Sequence, residues 1–217
     1  MNIFFVIITA YPSSMNPTTS VTDRWSAQYT FASDPTFLSH DGNWTKNFPI
    51  TGDWPSYQAI WIFEDLRNAW NYVHANDFRN GVPYDPGSVK AMWELNLDCY
   101  PFPILGFPFI CSSFSYGGPV LSHFIYIANN DNSSMETVVH ETGHLFMVNA
   151  NGWWYADSNC FLHHIFESID VECAWAEGWA DFLPLVVNGD PCYDFFGKPL
   201  RRDTKWTILQ FGGSQSY

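Results

Sequence analysis

The chain has 217 residues, of which 47% are hydrophobic, 19% aromatic and 14% charged. This composition is typical of a globular protein and excludes a disordered one, which would be rich in charge and poor in aromatic residues. Acidic residues outnumber Lys and Arg by 22 to 9, which argues against a nucleic-acid-binding surface. No segment approaches the roughly 20 apolar residues that span a bilayer, so we predict no transmembrane segment.

The composition changes along the chain and predicts three regions. Residues 1–56 join an apolar start, MNIFFVIITA, to a loop-rich part with short strands. The apolar start fits either a signal remnant or an ordinary core strand. Residues 57–190 carry the regular helix and strand patterns of a folded core, and residues 191–217 form a short C-terminal tail.

Three elements with clear patterns come first within the predicted core. Residues 56–75 have the apolar spacing of an amphipathic helix. Residues 88–97, SVKAMWELNL, alternate apolar and polar positions, which predicts a strand with one face in the core. Residues 123–128, HFIYIA, are nearly all apolar. We therefore predict a strand that is covered on both faces or lies beside the next helix.

A second helix begins at a capping signal. Ser133 is predicted as its N-cap and Glu136 as its N3 residue, which together match a capping box. NANG at 149–152 supplies residues that tolerate the left-handed conformation that ends many helices. Gly143 lies inside this helix, where glycine costs about 1 kcal/mol relative to alanine. It therefore indicates that another backbone or a ligand approaches closely there.

The centre of this helix reads His140-Glu141-Thr142-Gly143-His144. Residues four apart lie on one face of a helix, so the two imidazoles can be directed at one metal ion. The glutamate between them is not directed at the ion, but its carboxylate can reach a water bound to it. This is the HExxH arrangement, in which two histidines bind zinc and the glutamate is the general base. Such a site needs a third protein ligand.

The segment CAWAEGWADFLP, 173–184, offers that ligand. Glu177 and Asp181 are one helical turn apart, and a carboxylate oxygen would complete three protein ligands with one open position. Pro184 is predicted to limit the length of this helix. Small side chains would let it pack closely against the HExxH helix; they belong to Ala174, Ala176, Gly178 and Ala180. Glu172 and Glu167 stay open as alternative ligands.

The two motifs together, His140-Glu141-x-x-His144 and Glu177-x-x-x-Asp181, resemble those of the gluzincins, the thermolysin-like clan of zinc metallopeptidases. The resemblance implies that Glu177 is the third zinc ligand and that Asp181 orients His140. It also implies an α+β, zincin-like fold, in which a small mixed sheet packs on the HExxH helix and a second helix carries the Glu ligand. Residues 57–190 would then be the zincin-like catalytic core.

We therefore predict a zinc metalloendopeptidase that acts on a peptide or protein substrate, with Glu141 as general base toward a zinc-activated water. The strand at 123–128 is predicted to be the sheet edge that pairs with an extended peptide. The group that stabilises the transition state is not identified by the sequence. Tyr155, His163 and His164 are available between the two motifs.

Two other interpretations stay open. In one, the chain is a non-catalytic secreted binding domain with a structural zinc, and its aromatic residues form a recognition surface. In the other, it is a truncated, inactive relative, because residues 191–217 leave little room for the helical subdomain that follows the site in thermolysin. The five cysteines and the glycosylation sequons at Asn43 and Asn132 favour a secreted glycoprotein. They do not define the cysteine pairing.

Overall fold

The computed structural model describes residues 2–4, 7–9, 19–32, 36–38, 55–76, 78–79, 81–101, 109–117, 123–151, 170–191, 193–195 and 198–200. Within these residues, three α-helices accompany a four-stranded mixed sheet, so the predicted α+β class is confirmed. Its zincin-like form stays a prediction. The helices are α1 (Pro55–Asn76), α2 (Met135–Ala150) and α3 (Val171–Asn188).

The strands are short. They are β1 (Asn2–Phe4), β2 (Ile7–Thr9), β3 (Thr19–Thr22), β4 (Thr30–Ala32), β5 (Thr36–Leu38), β6 (Phe78–Arg79), β7 (Val82–Pro83), β8 (Val89–Met92), β9 (Phe114–Tyr116), β10 (Phe124–Tyr126), β11 (Tyr193–Phe195) and β12 (Lys198–Leu200). The central sheet has the order β3-β8-β10-β9. Strands β3, β8 and β10 are parallel, and β9 runs antiparallel to β10.

Four two-stranded antiparallel ladders accompany the central sheet, namely β1–β5, β2–β4, β6–β7 and β11–β12. Residues Asn2–Phe4 and Ile7–Thr9 of the apolar start form β1 and β2, and the choice between a signal remnant and a core strand stays open. Strand β3 comes from residues 1–56, whereas β8, β9 and β10 come from residues 57–190. The central sheet thus draws on both regions, and the division at residue 56 stays a prediction.

The predicted strand at 88–97 is shorter than expected, because β8 ends at Met92. A turn follows, in which Asn96 adopts a positive φ of 63° and the Leu97 amide donates to the Glu94 carbonyl. The prediction of a single buried face is also wrong. Val89 and Ala91 lie in the main core, but Met92 is buried in a second cluster. Alternation alone did not predict this second apolar layer.

Strand β10 is covered on both faces, as predicted. Ile125 packs into the main core, while Phe124 and Tyr126 lie in the second cluster with aromatic neighbours from β9 and the preceding loop. The prediction that this strand is a sheet edge is wrong. β10 pairs with β8 on one side and with β9 on the other, so its backbone groups are already used in the sheet.

Helix α1 confirms the amphipathic pattern predicted for 56–75, and its buried face joins α2 in the main core. The core takes Ile62, Leu66 and Trp70 from α1, and Val138 and Leu145 from α2. Burying such side chains stabilises the fold by about 1.5–3 kcal/mol each. Among the described residues, none of the helices is long and apolar enough to cross a membrane.

The predicted start of α2 needs correction. The N-cap is Ser134 rather than Ser133, and its hydroxyl accepts a hydrogen bond from the Thr137 amide, so N3 is Thr137 and not Glu136. The two serines are adjacent, and the sequence pattern did not separate them. At the other end, Asn151 is the C-cap with φ −103°. Its amide donates to the Met147 carbonyl, and Gly152, the glycine of the predicted end, lies outside the described residues.

The prediction that Pro184 limits α3 is also wrong, because the helix continues through it to Asn188. Proline removes one backbone hydrogen bond from a helix interior. Here the neighbouring Leu183 is fully buried in the core, and this packing offsets that loss. Gly189 ends the helix in the left-handed conformation, with φ 67°, which glycine adopts without strain.

Candidate metal centre

Helices α2 and α3 approach each other closely at Gly143. A β-carbon at this position would lie 3.3 Å from the Ala180 α-carbon and 3.4 Å from Cδ2 of Leu183. The prediction that another backbone comes close to Gly143 is therefore confirmed. Of the small residues predicted to face α2, Ala176 and Ala180 are buried, while Ala174 and Gly178 are half-buried.

The close approach brings together the side chains that the two motifs singled out. Nε2 of His140 lies 3.1 Å from Nε2 of His144. Oε2 of Glu177 lies 3.3 Å from the first nitrogen and 3.4 Å from the second. His144 and Glu177 are buried, and the His140 side chain is 16% exposed. Among the described residues, these three form the one cluster that could hold a metal ion.

Asp181 lies behind His140, one turn beyond Glu177. Its Oδ1 is 2.9 Å from Nδ1 of His140, and the imidazole N–H at Nδ1 donates to this carboxylate. In the neutral imidazole, that hydrogen bond leaves the lone pair of Nε2 directed at the cluster, which is the tautomer that a metal ligand requires. The hydrogen bond between Asp181 and His140 is thus present in the structure, and its role toward a metal ion stays a prediction.

The cluster is rich in buried negative charge, which acts on the pKa of His140. Burial by itself lowers this pKa, but hydrogen bonds to Asp181 and Glu177 and the charges of Asp181 and Glu141 outweigh burial. The net result is a pKa well above 6.5. The carboxylates therefore favour a positive charge at this place, either a proton or a cation.

Glu141 is buried, with 8% exposure, and follows His140 on α2. Burial raises the pKa of its carboxyl; the two histidines of the cluster lower it, and the charges of Glu177 and Asp131 raise it again, so the net shift is upward. A carboxyl whose pKa is raised accepts a proton more readily and can return it later. Glu141 is thus suited to acid–base chemistry.

The remaining candidates fall in two groups. Glu172 is exposed in the first turn of α3 and lies outside the cluster. Glu167, Tyr155, His163 and His164 lie outside the described residues. The sequence did not predict a contact from Trp179, whose Nε1 donates to the Gly143 carbonyl at 3.1 Å. Nothing in the residue pattern indicates it, because it depends on the register between two helices.

A comparison with protein-family models matched residues 111–201 to one described as the Mycolysin C-terminal domain. The match includes α2, α3 and all five residues of the candidate centre. The match supports a metallopeptidase-related origin. Comparisons with curated proteins and with solved structures gave no match.

Proposed function

We propose that the chain is a zinc metallopeptidase of gluzincin type, in which His140, His144 and Glu177 bind zinc and Glu141 is the general base. The proposal depends above all on the triangle of ligand atoms, with sides of 3.1, 3.3 and 3.4 Å. Zinc bonds of about 2.0–2.2 Å in tetrahedral geometry separate two ligand atoms by roughly 3.3–3.6 Å. The residues present therefore fit zinc.

The donor set supports a catalytic rather than a structural site. Two histidines and a glutamate are the protein ligands of thermolysin-type zinc, which keeps a fourth position open for water. Structural sites are closed by four protein ligands, usually with cysteines among them. Within the described residues the cluster has three donors and no cysteine.

When bound, zinc would polarise the scissile carbonyl and lower the pKa of a water molecule toward about 7. Glu141 would accept the proton of that water and later deliver it to the leaving amine. Its raised pKa, caused mainly by burial, suits a group that holds the proton between the two steps. Asp181 would keep His140 in the tautomer and orientation that ligation requires.

A second candidate function is a non-catalytic domain that binds zinc for structural purposes and has a binding role. The family match taken alone supports it better than a peptidase, because the matched family is a C-terminal domain of a kind that is typically non-catalytic. Buried Glu141 is the observation against it. A structural site needs no general base, and burying a carboxyl without function is costly.

We also propose that the protein is secreted. A disulfide joins Cys99 and Cys111, and Cys173 is disulfide-bonded as well; such bonds persist in oxidising compartments. Asn132 of the second sequon is buried, with 7% exposure. A glycan on it would not fit the folded chain, so any glycan is expected at Asn43, which lies outside the described residues.

The proposed function is tested by metal analysis and peptide hydrolysis on the same preparations. We expect one zinc per chain, cleavage of casein or quenched peptides, and loss of cleavage with a chelator. Glu141→Gln should keep its zinc and lose activity, whereas Glu172→Gln, an exposed carboxylate on α3, should keep both. Unchanged hydrolysis in Glu141→Gln would refute the mechanism. One zinc without cleavage of any peptide would favour the second candidate, and absence of zinc binding would reject both.

A further inference from the structure

We propose that Trp179 is a positioning residue for the metal centre. Its indole N–H holds the carbonyl of Gly143 and thereby fixes the register of α3 against α2. The inference rests on the proposed function, because it assumes that the cluster of His140, His144 and Glu177 binds zinc.

The contact joins the middle of one motif to the middle of the other. Nε1 of Trp179 donates to the Gly143 carbonyl at 3.1 Å. Gly143 lies between the two histidines on α2, and Trp179 lies between Glu177 and Asp181 on α3. Any slide of α3 along α2 would therefore strain this hydrogen bond together with the one between Asp181 and His140.

The packing of Gly143 itself against α3 is not directional. Gly143 meets Ala180 and Leu183 by van der Waals packing, which sets how closely the helices approach but resists sliding only weakly. A hydrogen bond weakens steeply as its angle departs from linearity. The indole N–H therefore supplies what the small residues lack, a defined position of α3 along the axis of α2.

This matters for the metal because α3 carries two groups with different tasks. Glu177 points toward Nε2 of both histidines, and Asp181 holds Nδ1 of His140. A change of register would move both carboxylates at once. The binding of zinc, and the geometry around it, should therefore respond to Trp179 although its side chain is not in the cluster.

Trp179→Phe should fold, which makes the inference testable. The ring is half-buried and packs against the main core and against a small cluster of Met147, Cys173 and Ala176. Phenylalanine retains most of that packing and removes the donor together with a small part of the ring surface. In an α-helix the Gly143 carbonyl also accepts from the residue four positions later, so loss of the indole leaves no buried acceptor unpaired.

The experiment measures zinc affinity of the metal-free protein by competition with a chromophoric chelator, and records the absorption spectrum of the cobalt-substituted protein. Trp175→Phe is the matched control, because Trp175 lies on the same helix and is 65% exposed. We expect zinc affinity to fall roughly 10-fold in Trp179→Phe, with an altered cobalt spectrum and an unchanged melting temperature of the metal-free protein. Trp175→Phe should match wild type.

Two results would overturn the inference. One is wild-type zinc affinity and cobalt spectrum in a folded Trp179→Phe; the other is a lower melting temperature with unchanged affinity, which would make the role purely structural. If Trp179→Phe does not fold, benzothienylalanine at position 179, which replaces N–H by sulfur in the same bicyclic ring, gives the same two readouts. A wild-type chain that binds no zinc would refute the proposed function itself, which keeps the two failures distinct.

Discussion

His140 and Asp181 are joined by a hydrogen bond of 2.9 Å between Nδ1 and Oδ1. The bond spans two helices and links residues 41 positions apart in the chain. It leaves Nε2 of His140 available at the cluster and places a negative charge directly behind the ring. A ligand imidazole held in this way is both oriented and made more basic.

Asp181→Asn should therefore weaken zinc binding by about 10- to 100-fold. Asparagine can still accept the hydrogen bond through its carbonyl oxygen, but the charge is lost. Chelator competition on the metal-free protein measures the effect. Glu172→Gln removes one carboxylate from an exposed site on the same helix and should leave the affinity unchanged. Equal affinity of Asp181→Asn and wild type would contradict the assigned role.

Gly143→Ala tests the close approach of the helices. The added β-carbon would lie 3.3 Å from the α-carbon of Ala180, and this backbone neighbour can yield only if α3 moves outward. Overpacking of this kind costs about 1–3 kcal/mol, against a gain of about 1 kcal/mol in helix propensity. We expect a net loss of about 1 kcal/mol in urea unfolding, together with weaker zinc binding. A more stable variant with wild-type zinc affinity would show that the contact is loose.

The candidate centre could be predicted from the sequence because helix geometry fixes its parts locally. Spacing of four residues places His140 and His144 on one face, and the same spacing links Glu177 to Asp181. How α3 lies on α2 could not be predicted in the same way. Gly143 indicated that something comes close, but only the structure identifies the backbone of Ala180 and the indole of Trp179. Non-local register leaves no periodic signal in a sequence.

The fold was predicted less completely for a similar reason. The helix pattern at 56–75 identified α1 because many residues repeat the same signal. The apolar run at 123–128 predicted burial on both faces but gave the wrong place in the sheet. A strand covered on both faces has the same composition at an edge or in the interior. The hydrophobic pattern of this strand does not determine which strands pair with it, so it could not predict that β9 lies beside it.

Ser134 and its neighbour Ser133 provide a paired test of the observed cap of α2. The Ser134 hydroxyl accepts from the Thr137 amide at 3.2 Å and from the Thr137 hydroxyl at 2.9 Å. Ser134→Ala should lower the free energy of unfolding by about 1 kcal/mol. Ser133 is exposed, and Ser133→Ala should change it by less than about 0.5 kcal/mol. Chemical denaturation of both variants measures the two changes in the free energy of unfolding. A larger loss in Ser133→Ala than in Ser134→Ala would identify Ser133 as the cap.

Asp65 on α1 should make the free energy of unfolding depend on pH. Burial raises the pKa of its carboxyl to about 7, and the charges of Glu136 on α2 and Glu64 on α1 add to the shift. In the unfolded chain this carboxyl returns to its ordinary value of 3.8. Between these two values the folded chain binds more protons than the unfolded chain, so raising the pH favours unfolding.

The free energy of unfolding of the metal-free protein should therefore decrease between about pH 4 and pH 7. The part of this decrease that comes from Asp65 should be absent in Asp65→Asn. A shift of this size corresponds to about 4 kcal/mol, and since Asp65 is only half-buried, solvent screening reduces our expectation to about 2 kcal/mol. Urea unfolding across this range gives the difference between the free energies of unfolding of wild type and Asp65→Asn. Both proteins have the same histidines, so the contribution of the histidines cancels in this difference. Asp98→Asn changes the same functional group at an exposed position and is the matched control. If the pH profile of the free energy of unfolding were parallel in wild type and Asp65→Asn, the prediction would be wrong. Asp65 would then be charged in the folded chain, next to the carboxylates of Glu64 and Glu136.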